Sequence, residues 1–217
     1  MIEVRRVGVI GDVHTERARL QGVLARFRTL GLDRILCVGD IADGPGTAAD
    51  VDACCELLRE HEVLTVSGNH DRWLQDNEMR DLPGANSRDE VDEGTLAFLA
   101  AFPATASLQS PAGEILLCHG LGADDLANVQ PFDHGLALEQ NEALQSLLRE
   151  TRYRYVINGH THRPMVRTID SLTVINAGSL HRDYGPCCLV ADFERKQVCF
   201  YDVTQDGSLG RAIESAL

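Results

Sequence analysis

The chain is short of positive charge. Lys and Arg number 20 against 33 Asp and Glu, a formal net charge of −13 over 217 residues. Nucleic acid is held mainly by Lys and Arg on its phosphates, so no stable nucleic-acid binding is expected. The same deficit disfavours an anionic membrane surface. It leaves room for a small phosphorylated substrate, because bound divalent cations reverse the field locally. No apolar run reaches the roughly 20 residues of a membrane span, and the apolar stretch at 7–10 runs straight into Gly11-Asp12 with no long leader-like core. There is no repeat at a solenoid period and no low-complexity segment. The seven cysteines (Cys37, Cys54, Cys55, Cys118, Cys187, Cys188 and Cys199) are odd in number and show no C-x-x-C spacing. They read as small buried hydrophobes in a reducing compartment, so a cytoplasmic location is the expectation.

Hydrophobic residues make up 44% of the chain, enough for one substantial core, and residues 1–217 are read as a single domain. The first half alternates. A strand at 4–10 leads to a helix with Leu20, Val23, Leu24 and Phe27 on one face, stopped at Gly31. A short strand at 35–38 precedes a helix carrying Val51, Cys54, Cys55 and Leu58, and a third strand follows at 63–66. This βαβαβ order argues for a parallel sheet covered by helices. Further on, 71–88 is polar, 90–102 reads as a helix ended by Pro103, and 115–118 as a buried strand. Residues 120–135 form a long loop, 138–151 a helix and 155–157 a strand. After His162 come four short strands with no helix between them, at 165–169, 172–175, 187–193 and 198–203. They predict an antiparallel second sheet. The architecture expected is α/β: a two-sheet β-sandwich flanked by helices.

The buried strands end in one kind of signal. They run into Gly11-Asp12-Val13-His14, Gly39-Asp40-Ile41-Ala42-Asp43, Gly68-Asn69-His70-Asp71, His119-Gly120 and Gly159-His160-Thr161-His162. Ligands of open α/β sheets bind beyond the carboxyl ends of the strands. Asp12 with His14, and His160 with His162, are two apart, which in extended backbone puts each pair on one side. Taken singly, Gly-Asp-x-His and Gly-Asn-His-Asp serve equally well as a turn or cap, and a lone His119 is more often a core histidine, whereas Gly-His-x-His already favours metal. Together they gather imidazole, carboxylate and amide oxygen at one edge. That mixture suits Mn²⁺, Fe or Zn²⁺ better than Ca²⁺ or Mg²⁺. Seven ligands are too many for one tetrahedral site and divide naturally between two metals.

This ordered set resembles the calcineurin-like metallophosphoesterases, and in particular their small bacterial phosphodiesterase-type members. The resemblance implies the α/β/β/α fold of that superfamily and two divalent ions, Mn²⁺ foremost, with Fe, Zn or Ni as alternatives. It implies that Asp12, His14 and His162 hold one ion, that Asn69, His119 and His160 hold the other, and that Asp40 bridges. It places His70 beside the leaving group and Asp43 behind His70 as its orienting carboxylate. The implied reaction is hydrolysis of a phosphodiester or phosphomonoester by a metal-bridging hydroxide. Thr15, Gly44 and Asp71 stand where the serine/threonine phosphatases usually have Gly, Arg and Glu. A protein phosphatase or dinucleoside polyphosphatase is thereby disfavoured, and an expected phosphate-binding arginine is missing. Arg72, Arg163 and Arg182 are the candidates to replace it, with His181 as a further site candidate. His61 and His134 fall outside every motif. Residues 73–88, with the sole tryptophan Trp73, are a candidate lid. Two competing classes remain: a non-catalytic scaffold of the same fold, which His70 and the full ligand set argue against, and a nuclease, which the net charge argues against. Substrate identity and oligomeric state are open.

Overall fold

The computed structural model describes residues 2–217. Its strands are β1 (Ile2–Glu3), β2 (Arg6–Ile10), β3 (Arg34–Cys37), β4 (Leu64–Thr65), β5 (Thr105–Ser110), β6 (Gly113–Cys118), β7 (Tyr155–Asn158), β8 (Met165–Ile169), β9 (Leu172–Asn176), β10 (Cys187–Asp192), β11 (Gln197–Val203) and β12 (Leu209–Ala216). The helices are α1 (Arg17–Phe27), α2 (Ala48–Glu60), α3 (Asn69–Asp76), α4 (Glu93–Ala100), α5 (Leu136–Glu139) and α6 (Glu142–Glu150). One sheet runs β1-β5-β6-β7-β9-β8 and the other β12-β11-β10-β2-β3-β4. In the first, β6, β7 and β9 are parallel neighbours; in the second, β2, β3 and β4 are.

Strand alternation builds the layers. Val7 and Val9 of β2, with Leu36 of β3, face Ile115, Leu117, Tyr155 and Ile157 across the space between the sheets. Ile10 and Cys37 point the other way, onto Leu20, Leu24 and Phe27 of α1 and Val51, Cys54 and Leu58 of α2. On the far side Leu116, Val156 and Val174 pack against Leu144 and Leu147 of α6. The result is a helix–sheet–sheet–helix stack, as expected from the sequence.

Several boundaries differ from expectation. The strand expected at 4–10 starts only at Arg6, as β2, and ahead of it an unexpected short strand, β1, pairs with β5 in the other sheet. Between them the Asp33 carboxylate accepts the N–H groups of Arg5 and Arg6, at 2.7 and 2.8 Å, and fixes the crossing. The four late strands do not form a sheet of their own. β8 and β9 pair antiparallel, as expected, but extend the β5–β7 sheet; β10 and β11 also pair antiparallel, but β10 joins β2, so both sheets are mixed. The helix expected at 90–102 starts later, where the Asp92 side chain caps Gly94 N at 2.7 Å. That expected at 138–151 breaks in two, because Asn141 caps a new helix through Leu144 N. Strands β5 and β12 and helix α3 have no counterpart in the sequence reading.

Candidate metal centre

Because β2, β3 and β4 run parallel in one sheet and β6 and β7 in the other, their carboxyl ends emerge at one edge of the stack. Asp12 and His14 follow β2, Asp40 and Asp43 follow β3, and His119 follows β6. His160 and His162 follow β7, while Asn69 and His70 open α3 just after β4. An isolated bridge between Asp12 and Ser179 ties the two sheets together at this point.

The structure brings all seven proposed ligands together. His14 Nε2 lies 3.0 Å from His162 Nε2 and 3.8 Å from Asp40 Oδ2. Asp12 Oδ2 is 3.7 Å from His162 Nε2. Asn69 Oδ1 sits 3.0 Å from His119 Nε2 and 2.9 Å from His160 Nδ1, and Asp40 Oδ2 is 3.2 Å from His119 Nε2. The ligand atoms of Asp12, Asp40 and His162 lie within 4.8 Å of one another, as do those of His14, Asp40 and His70. Asp40 Oδ2 thus stands between His14 on one side and His119 on the other, the position a bridging ligand needs.

Convergence does not arise from extended backbone, as the i, i+2 spacing implied. His14, Asp40, Asp43, His160 and His162 all have positive φ, between 46° and 65°. Left-handed non-glycine residues carry strain, and such strain gathers at functional sites. The turns send His160 toward Asn69 and His162 toward His14. Glycines make the approach possible. A Cβ at Gly68 would run into the Asp40 carboxylate, and one at Gly159 would lie 2.5 Å from Asp12 Oδ1.

The donor set fits cations. His14 Nδ1–H donates to the Asp43 carbonyl at 2.5 Å, and His119 Nδ1–H to the Val38 carbonyl at 2.7 Å, which leaves both Nε2 atoms aimed into the cluster. Asp12 Oδ2 is buried with no hydrogen-bond partner. Burial pushes His14 down to about 4 and His162 down to about 3, so both imidazoles are neutral with free lone pairs. Burial, reinforced by Asp40, pushes Asp12 up to about 7. Burial opposes ionisation of Asp40, but His119 outweighs it and holds that carboxyl below its usual range. Burial likewise disfavours charge on His119, yet Asp40 and Asp12 raise it to about 10. A proton on His119 thus stands where the carboxylates call for positive charge.

His70 borders the same cluster but is held by Asp43. Its Nδ1–H donates to Asp43 Oδ2 at 2.9 Å, and its ring stands 5.0 Å from that of His14 and 4.7 Å from that of Trp73. Burial works against the imidazolium, but the Asp43 hydrogen bond prevails and raises its pKa. At the start of α3 the His70 backbone N–H donates to Asp40 Oδ1 at 2.8 Å.

None of the three candidate arginines offers a free guanidinium to the cluster. Arg72 binds Asp125 at 2.7 and 3.0 Å, Arg163 reaches Gln130 and the Phe132 ring, and Arg182 binds Glu16 at 2.7 Å. The guanidinium that arrives is Arg80, which the sequence reading did not single out. It grips Asp43 through both carboxylate oxygens, at 2.9 and 2.8 Å, and donates to the Asn86 carbonyl at 2.8 Å. Asn86 N–H adds a further bond to Asp43 at 2.9 Å. Residues 77–88, three quarters of the candidate lid, are thereby anchored to the carboxylate behind His70. Asp71 was also missed as a building residue. Its carboxylate accepts N–H groups from Gly68, Ile41 and Ala42 at 3.0, 2.8 and 3.1 Å, locking α3 to the β3 turn. Its place three residues after Gly68 is the capping-box position, a signal the sequence did contain. His181 lies with its ring 5.4 Å from that of His14, and Tyr184 rests 4.4 Å from the His162 ring. His134 is exposed and His61 ends α2, both away from the cluster.

Comparison with known proteins places this geometry. A curated relative, an uncharacterized protein of Methanocaldococcus jannaschii, is 36% identical over 75 residues. Those residues cover 35% of this chain and 30% of that protein, so the match spans less than a third of the relative's length. A metallophosphoesterase from Sphaerobacter thermophilus superposes with a TM-score of 0.68 at 19% identity, covering 93% of this chain and 89% of that one. The E. coli phosphoesterase YfcE superposes with a TM-score of 0.56 at 18% identity, covering 96% and 98%. At these identities the likeness is one of fold. The family model of the calcineurin-like phosphoesterase superfamily domain matches residues 6–196, nearly the whole chain and every residue of the cluster, and the chain belongs to that family.

Proposed function

We propose that the protein is a binuclear metal-dependent phosphoesterase acting on small phosphorylated substrates, phosphodiesters ahead of phosphomonoesters. The observation that carries this reading is the buried, unpartnered Asp12 Oδ2 within a set of imidazoles and carboxylates gathered around Asp40. Asp12, His14 and His162 would hold one ion, Asn69, His119 and His160 the other, with Asp40 between them. Mixed nitrogen and oxygen donors favour Mn²⁺, with Fe, Zn or Ni as alternatives. Two such ions, when bound, supply charge neutralisation at the phosphoryl oxygens and an activated water.

The chain's own residues supply the rest. His70, raised in pKa by Asp43, hands a proton to the departing oxygen, and Asp43 fixes its tautomer by accepting from Nδ1. The N–H of His70 holds Asp40 in the orientation a shared ligand needs. The free cysteines, six of them buried, support work in a reducing, cytoplasmic compartment, and among the described residues no helix is long and apolar enough to cross a membrane.

The test is a Mn²⁺-supplemented screen against bis-p-nitrophenyl phosphate, p-nitrophenyl phosphate, cyclic nucleotides and dinucleoside polyphosphates, with metal content measured alongside. Two ions per chain and diester hydrolysis are expected. Two bound ions with no hydrolysis of any substrate would instead support a non-catalytic scaffold.

A further inference from the structure

Beside the cluster lies a cavity of about 530 Å³ that the metal ligands do not explain. His119, its side chain buried, stands in its wall, so the cavity abuts the side of the centre assigned to Asn69, His119 and His160. Its walls come from α3, the end of α4 and the loop at 122–125. The size falls within the range of ligand pockets, about 300–1,000 Å³.

The chemistry of the lining is selective. Leu99, Ala100, Phe102, Ala104 and Ala123 give an apolar surface. The charged and amide groups among them are already engaged. Arg72 binds Asp125 through Nε and Nη2 and lies 3.6 Å from Glu78 through Nη1. The Gln75 amide donates to the Leu96 carbonyl at 2.6 Å, and Asp124 Oδ1 accepts from Leu126 N and Ala127 N. No cation is left to hold a second phosphate, and the two aspartates repel an anionic group. An uncharged apolar group has nothing to desolvate here and gains from burial.

His70 and Trp73 do not line this cavity, so it lies away from the group that serves the leaving oxygen. Resting on the phosphodiesterase reading above, we infer that the cavity is a subsite for the retained arm of a phosphodiester, and that this arm is an uncharged apolar group of at least aryl size. In the reaction water adds to phosphorus, the bond to the other arm breaks, and that arm leaves as its alcohol or phenol. The apolar arm stays on the monoester product.

Two diesters with the same leaving group test this: methyl p-nitrophenyl phosphate and phenyl p-nitrophenyl phosphate. The wild-type protein with Mn²⁺ should show kcat/KM about tenfold or more higher for the phenyl arm, the gain from burying much of one ring. Ala104→Phe and, separately, Ala123→Phe fill opposite walls from exposed positions outside the catalytic machinery. Each should bring the ratio close to one while leaving the methyl substrate unchanged, which also reports on folding. In the metal-free protein, phenyl methyl phosphate should shift the methyl resonances of Leu99, Ala100 and Ala104, and Ala104→Phe should abolish the shifts. Hydrolysis of both diesters with a wild-type ratio near one, or a ratio that survives both fillings, overturns the subsite. Methyl shifts without hydrolysis of either diester would retain the subsite and overturn the phosphoesterase reading; neither shifts nor hydrolysis would overturn both.

Discussion

Replacing Arg80 by methionine tests the reading of the site through a residue that touches neither metal ligand nor substrate. Arg80 is only 17% exposed and its partner Asp43 4%. The substitution keeps the length and apolar stem and removes two charge-assisted hydrogen bonds to a buried carboxylate. Such bonds are each worth about 1.5–3 kcal/mol. Part is regained, since Asp43 keeps Asn86 N–H and His70 as donors. A net loss of about 2–4 kcal/mol follows, or a fall in Tm of roughly 4–16 °C for a chain of this size. Metal-free protein should be used for that measurement, so that ion binding does not mask the change.

The catalytic consequence is more specific. Asp43 Oδ2 accepts from both Arg80 Nη2 and His70 Nδ1, so the guanidinium sets the rotation of the carboxylate that aims the imidazole. Without it, proton delivery to the leaving oxygen loses its alignment. That matters most where the leaving oxygen is basic. For a phenyl or alkyl leaving group kcat should drop by about 10- to 100-fold, and for p-nitrophenol by less than about threefold. Arg80→Lys, which restores the charge without the two-pronged grip, should recover only part of the loss. Equal losses on both leaving groups would show that Arg80 merely holds the fold. No loss of stability at all would refute the energetic argument.

Four further outcomes follow from the geometry. His70→Ala should keep both metals and lower turnover by about 10²–10⁴, read by metal analysis beside kinetics; loss of metal would remove His70 from its assigned role. Asp71→Ala orphans three buried N–H groups and should cost about 3 kcal/mol or more in denaturant unfolding. Glu16 is buried against Arg182 and Arg19; burial opposes its ionisation, but the arginines hold its carboxyl below the usual value. Its contribution is therefore complete above the unfolded pKa and lost as pH falls through the folded one, so the stability gap between wild type and Glu16→Gln should be widest near pH 7 and narrow progressively as pH falls below the ordinary glutamate value of about 4.3. Chelation should lower Tm, with an ion present at 100 times its Kd contributing about 2.7 kcal/mol.

The site was legible in the sequence because its parts are local. Gly-Asp, Gly-Asn-His and Gly-His-x-His each follow a short apolar strand, and a strand end fixes where the next two or three residues go. What was not legible is what depends on contacts far along the chain. Arg80 reaches Asp43 across 37 residues from a polar stretch with no periodicity, and nothing local marks it. Arg72 is a plausible phosphate clamp by position alone, and only the fold reveals Asp125 beside it. The late strands failed for a similar reason. Short strands with tight turns predict antiparallel neighbours, yet β9 pairs parallel with β7 and β10 returns to β2, choices made by the layer each strand covers. The split of β1 from β2 turns on Asp33, which binds two backbone N–H groups from 27 and 28 residues away.

The same geometry explains why metal binding and stability belong together here. Five of the site residues sit in left-handed backbone, each at a cost on the order of 1–3 kcal/mol. Three buried carboxylates, Asp12, Asp40 and Asp71, lie close enough for Asp40 to raise the pKa of each of the other two. Hydrogen bonds from His70 N–H, the Gly68, Ile41 and Ala42 amides and the His160 amide offset part of that repulsion. They stop short of Asp12 Oδ2. A proton on His119 neutralises one charge but occupies the nitrogen that faces Asn69 and Asp40. Divalent cations held by these residues would neutralise more and displace that proton to solvent. Metal uptake should accordingly release protons at neutral pH, measurable as a dependence of binding enthalpy on the ionisation enthalpy of the buffer. Absence of any such dependence would mean that His119 is neutral before the ions arrive, and that the carboxylates are balanced by some other group.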